Sequence, residues 1–197
     1  MASQLAHQGL PAPPGAEALL LGSGGVVRCG GEACSEVFCS EECRAWALAE
    51  SSHALLCADR LSPPRLEALQ ALERFAEERD QEHMLLLAHG LARMALCLQQ
   101  GQPLEEVLRR YARQFASKPW DALAEDGNGA SSDDTPESRR QLLAEASAHL
   151  RELFAGEESA VPLLEEELLS GLLGTFELVN MCISLPHPLN GRGEELR

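Results

Sequence analysis

Six side chains able to ligate a metal or act as nucleophiles fall in three pairs between residues 29 and 57. They are Cys29 with Cys34, Cys39 with Cys43, and His53 with Cys57. Positions i and i+4 of a helix share a face, so His53 and Cys57 can grip one ion together. Cys39 and Cys43 can do the same if CSEECRAW opens a helix at Ser40. Zinc takes four sulfur or nitrogen ligands in a tetrahedron, and short-spaced ligand pairs are its expected signature. Three blander readings carry less weight. Ordinary core cysteines would not group this tightly. A disulfide framework sits poorly with an odd cysteine count and no recognisable signal peptide. A Cys–His nucleophile lacks identifiable oxyanion donors and a third, orienting group. Cys97 and Cys182 lie alone in apolar segments and read as core residues. His7, His83, His89, His149 and His187 have no partner at ligand spacing.

The elements that must position these residues are mostly helices. Residues 1–28 hold prolines, small residues and GSGG, and read as a poorly ordered lead-in. Residues 29–57 form the cysteine-rich unit, and 58–123 a helical segment. There SPPRLEALQALERFAEERD opens with Ser62 as an N-cap and prolines in the first turn. It places Leu66, Leu69, Leu72 and Phe75 on one face. Residues 82–99 are apolar nearly all round, which predicts a buried helix. A third helix is expected from about Leu104 to Phe115, with Leu104, Val107, Leu108 and Tyr111 as its apolar stripe. Residues 124–138, AEDGNGASSDDTPES, read as a polar, acidic linker. A helix from Ser138 to Phe154 should bury Leu142, Leu143, Ala146, Leu150 and Leu153. Pro162 opens another, LLEEELLSGLLGTFELVN, which runs into the strand-like CISL before Pro186 and Pro188. Residues 139–190 thus form a second helical block, and 191–197 a tail.

Composition narrows the partners. Asp and Glu number 31 against 16 Lys and Arg, a formal net charge of -15. Affinity for phosphate backbones comes from clustered Lys and Arg, so direct nucleic-acid binding is not expected. A basic protein or peptide suits the charge better. No apolar run reaches the roughly 18 to 20 residues that cross a bilayer. The N-terminus has no basic region leading into an apolar core, so an intracellular protein with reduced thiols is expected, in nucleus or cytoplasm.

The residues FCSEEC, with His53 ten positions after Cys43 and then HALLC, resemble the second half of a MYND zinc finger. Cys39-Ser40 with Cys43 and His53 with Cys57 match the family's late ligand positions, and Cys29 with Cys34 matches the pair before them. MYND fingers bind two zincs in a cross-braced fashion. The resemblance implies one zinc on Cys29, Cys34, His53 and Cys57. It implies a second on Cys39 and Cys43 plus an upstream cysteine pair, but residues 1–28 contain no cysteine. One tightly bound zinc is therefore expected. A sequential alternative would place Cys29, Cys34, Cys39 and Cys43 around one ion. The Cys29–Cys34 spacing is longer than the family's usual one. Phe38 stands where the family often has Tyr, and Trp46 sits nearer Cys43 than the family's usual Trp.

The C-terminal stretch LLSGLLGTFELVNMCISLPHPLN is similar to the segment of SET–MYND protein-lysine methyltransferases where a helix passes into a strand of the SET core. Gly174, Phe176 and Asn180 take the matching positions. The likeness is greatest to the plant and algal trithorax-related SET branch, where SSH-x-LLC recurs. It implies a mainly α chain: a small finger, a helical insert, and a fragment of a SET-domain α+β core. A complete family member would use S-adenosylmethionine and methylate lysines of proteins such as histones. This chain has no Asn-His dipeptide, its single tyrosine is Tyr111 on an apolar helix face, and GSGG is not followed by a helix pattern. No catalytic residue is therefore assigned, and the chain reads as an internal piece of such an enzyme. The alternative is a stand-alone zinc-binding adaptor for a partner peptide, with histone tails as candidates.

Overall fold

A computed structural model describes residues 26–113, 118–126 and 134–179. Among these the fold is mainly α-helical, with one two-stranded sheet. Strands β1 (Val27–Arg28) and β2 (Val37–Phe38) pair antiparallel, Val27 opposite Phe38 and Arg28 opposite Val37. Helices α1 (Glu41–Glu50) and α2 (His53–Leu56) complete the cysteine-rich unit. Then come α3 (Pro63–Glu78), α4 (His83–Gln99), α5 (Leu104–Tyr111), α6 (Pro136–Leu153) and α7 (Glu166–Val179). Two 3-10 turns, Asp121–Asp126 and Glu158–Leu163, link the later helices.

Helix α4 is the hub because it is apolar nearly all round. Met84, Leu87, Leu91, Met94 and Cys97 are fully buried, each large side chain contributing about 2 kcal/mol of transfer free energy. It touches α2, α3, α5, α7 and the second 3-10 turn. Alongside it α3 lies on α6, joined through Leu72, Phe75, Ala146 and Leu150. Phe75 also meets the ring of His149 at 5.7 Å.

Several boundaries shift for local reasons. Helix α6 starts at Pro136 and not at Ser138, and Thr135 caps it. Its hydroxyl accepts from the Ser138 N–H at 3.1 Å, and the Ser138 hydroxyl accepts from the Thr135 N–H at 2.9 Å. Such reciprocal caps satisfy two otherwise unpaired donors. Of the expected linker, residues 127–133 lie outside the described residues. Pro162 falls inside a 3-10 turn, and α7 starts after it, at Glu166. The N-terminal lead-in up to residue 25, Asn180, the CISL stretch and the 191–197 tail also lie outside the described residues. No helix among those described is long and apolar enough to cross a membrane.

Candidate metal centre

The β1–β2 hairpin carries Cys29 directly after β1 and Cys34 further along its loop, closed by a hydrogen bond from the Cys29 N–H to the Glu36 carbonyl at 3.0 Å. The chain then enters α1, where the Ser40 hydroxyl accepts from the Cys43 N–H at 3.1 Å and so caps the helix. At the other end of α1, Ser51 donates to the Ala47 carbonyl at 2.8 Å and accepts from the His53 N–H at 3.1 Å. That hinge turns the chain back so that α2 faces the hairpin. The Cys57 N–H bonds to the His53 carbonyl at 3.0 Å, which puts both side chains on one face.

Cys29, Cys34, His53 and Cys57 converge as a result. Their ligand atoms all lie within 4.8 Å of one another. Cys29 Sγ is 3.2 Å from His53 Nε2 and 3.5 Å from Cys57 Sγ, and Cys34 Sγ is 3.8 Å from the same imidazole nitrogen. A tetrahedral zinc with Zn–S bonds of about 2.3 Å sets its sulfurs about 3.8 Å apart, so the spacing fits one ion. The donor set, three thiols and one imidazole, is the kind zinc takes in structural sites. Cys57 is 1% exposed, and Phe38, Leu48 and Ala58 pack around the sulfurs. The Phe38 ring meets the His53 ring edge-on at 5.6 Å.

Electrostatics favour a cation here. Burial, then hydrogen bonds from Cys57 and Cys34, pushes the Cys29 thiol up to about 12. Burial also raises Cys34. Crowded thiolates repel one another unless a positive charge joins them. Burial lowers His53, which keeps its imidazole neutral, the form that ligates.

A supporting contact comes from a residue that the spacing rules do not flag. The Asp59 carboxylate, two residues past Cys57, accepts the N–H groups of Ala33 at 2.9 Å and Cys34 at 3.1 Å. It thereby pins the hairpin loop to the α2 end. Gly31 makes room for it: a Cβ there would sit 1.8 Å from the Asp59 carboxylate.

Cys39 and Cys43 are placed elsewhere. Their sulfurs lie 3.0 Å apart on the surface, outside the four-residue group. The other described histidines are likewise outside it. His89 Nδ1 bonds the Ser52 hydroxyl at 2.9 Å, and His83 meets the Trp120 ring at 5.5 Å. Cys97 is buried, with its sulfur 3.7 Å from the Tyr111 hydroxyl.

Gly174 and Phe176 both work in helix packing. A Cβ on Gly174 would lie 1.9 Å from the Lys118 carbonyl oxygen, and the Phe176 ring approaches Gly90 of α4.

No protein-family model, no curated protein and no solved structure matches this chain. The metal-binding assignment therefore stands on the donor chemistry and geometry: a Cys/His cluster able to hold zinc, in the manner of a zinc finger.

Proposed function

We propose that this chain is a zinc-binding protein built on a MYND-type finger, and that the finger serves as a protein-interaction module on a helical base. One observation carries the reading. Cys29 and Cys34 converge with His53 and Cys57, skipping the Cys39–Cys43 pair that lies between them in sequence. Interleaved ligand use is what the MYND resemblance implies, whereas a sequential site would have joined the first four cysteines. Bound zinc would tie the hairpin loop to α2 and supply folding energy on the order of 10 kcal/mol. Cys39 and Cys43 offer only half a ligand set, and no second tight site is proposed for them.

The partner proposed is a basic peptide of the histone-tail kind, within the cell, with neither nucleic acid nor membrane bound directly. The net charge of -15 supports this choice. The methyltransferase reading rests on the resemblance of the C-terminal stretch to SET–MYND enzymes. Gly174 and Phe176, two of its three matching residues, already have packing roles, which favours the interaction module. S-adenosylmethionine would belong to a complete family member, and no methyl transfer is expected of these residues.

The test is a titration of a Lys/Arg-rich histone-tail peptide into zinc-loaded protein, with labelled S-adenosylmethionine added in a parallel series. Saturable binding that weakens with salt and disappears on chelation supports the module. Binding indifferent to zinc removal contradicts it, and methyl transfer above a Cys29→Ser control would restore the enzyme reading.

A further inference from the structure

Cys39 and Cys43 are exposed, yet their sulfurs lie 3.0 Å apart. Cys39 follows β2 directly, Cys43 sits in the first turn of α1, and Ser40 between them is the N-cap. The hydrogen bond from the Cys43 N–H to the Ser40 hydroxyl fixes the turn that keeps the two sulfurs together. The observed separation is only about 1 Å longer than a disulfide bond. We propose that Cys39 and Cys43 form a reversible dithiol–disulfide pair, which exchanges with low-molecular-weight disulfides while the four-residue cluster keeps its metal.

Cys43 lies in the first turn of α1, where the unpaired N–H groups of the helix end favour its thiolate. Cys43 is therefore the attacking sulfur. Its thiolate displaces one thiolate from a disulfide such as oxidised glutathione, which leaves a mixed disulfide on Cys43. The Cys39 thiol then loses its proton to solvent, and its sulfur attacks Cys43 and expels the second thiolate. Two protein thiols are oxidised, one external disulfide is reduced to two thiols, and no other oxidant enters.

The experiment uses the zinc-loaded full chain in buffers of graded oxidised-to-reduced glutathione, quenched by alkylation and read by intact mass, peptide mapping and metal content. The expected result is loss of two hydrogens, mapped to Cys39 and Cys43, reversed by reduced glutathione and with zinc content unchanged. Cys39→Ser should stop at a stable glutathione adduct on Cys43. Cys43→Ser should react at Cys39 more slowly than Cys39→Ser reacts at Cys43, and should also stop at a single adduct. The proposal is overturned if both thiols stay alkylatable across the range, or if oxidation falls on Cys29, Cys34 or Cys57 with loss of zinc. It is equally overturned if Cys43→Ser removes a metal ion that the wild type holds. The pair stands apart from the zinc assignment: a mapped Cys39–Cys43 disulfide in a protein without zinc would uphold it while the finger reading failed.

Discussion

Asp59 supplies no ligand in the four-residue group, yet it receives two N–H bonds from the loop that carries Cys34. Partners that orient ligating residues typically matter tenfold to a hundredfold in metal affinity. Asp59→Ala should therefore weaken zinc binding by about that factor in competition with a chromogenic chelator, while leaving one ion per chain. An affinity equal to wild type would mean that the loop holds its shape unaided. Gly31→Ala should act in the same direction, because its methyl group would displace the Asp59 carboxylate. The one-turn spacing of His53 and Cys57 marked them as a pair in the sequence, whereas Cys29 and Cys34 lie five apart in a hairpin loop and only the fold brings all four together. Asp59 was not legible there, because its role depends on where the chain returns after α2, and no short spacing links residue 59 to residue 33. Ser52 and His89 escaped for the same reason.

Among the helices, Arg139 of α6 uses every donor it has. It forks onto Asp134 at 2.7 and 2.6 Å, meets the Glu177 carboxylate of α7 at 2.8 and 3.1 Å, and bonds the Trp120 carbonyl at 3.0 Å. The guanidinium also stacks over the Trp120 ring at 5.2 Å. Removing Arg139 leaves two partly exposed carboxylates and the Trp120 carbonyl without their donor. Arg139→Ala should thus cost about 2 kcal/mol in urea unfolding, against no change if α6 and α7 pack independently of it. Hydrogen bonds from Arg139 hold the Asp134 carboxyl below its ordinary value. Its contribution to stability is thus complete above the unfolded carboxylate pKa of about 4 and is lost as pH falls through the lower folded value. The urea midpoint should drop between about pH 5 and about pH 2, and part of that drop should vanish in Asp134→Asn. A Cβ at Gly174 meets the Lys118 carbonyl, and Gly174→Ala should cost about 2 kcal/mol by the same assay. The apolar period of α3 and α6 predicted their buried faces, and the unbroken apolar run of α4 its central place in the core. The Arg139 contacts with Trp120 and Glu177 joined residues far apart in sequence, and only the folded chain brings them together.

Over the whole molecule, the finger does not hang free. His89 and Arg93 of α4 reach Ser52 and the Glu50 carbonyl, and Leu56 of α2 belongs to the same core cluster as α4. Chelating the zinc should therefore raise amide exchange first in the hairpin, in α2 and on the α4 face they cover. The α3–α6 pair should stay protected; exchange rising uniformly would instead mean that finger and helices unfold as one unit. The central claim is that one ion is held by the interleaved set of Cys29, Cys34, His53 and Cys57. Zinc content per chain, measured side by side in wild type, His53→Ala and Cys43→Ser after dialysis against a weak chelator, tests it most directly. One zinc should remain in wild type and in Cys43→Ser, and none in His53→Ala. Loss of zinc from Cys43→Ser with retention by His53→Ala would contradict the account and place the ion among Cys29, Cys34, Cys39 and Cys43.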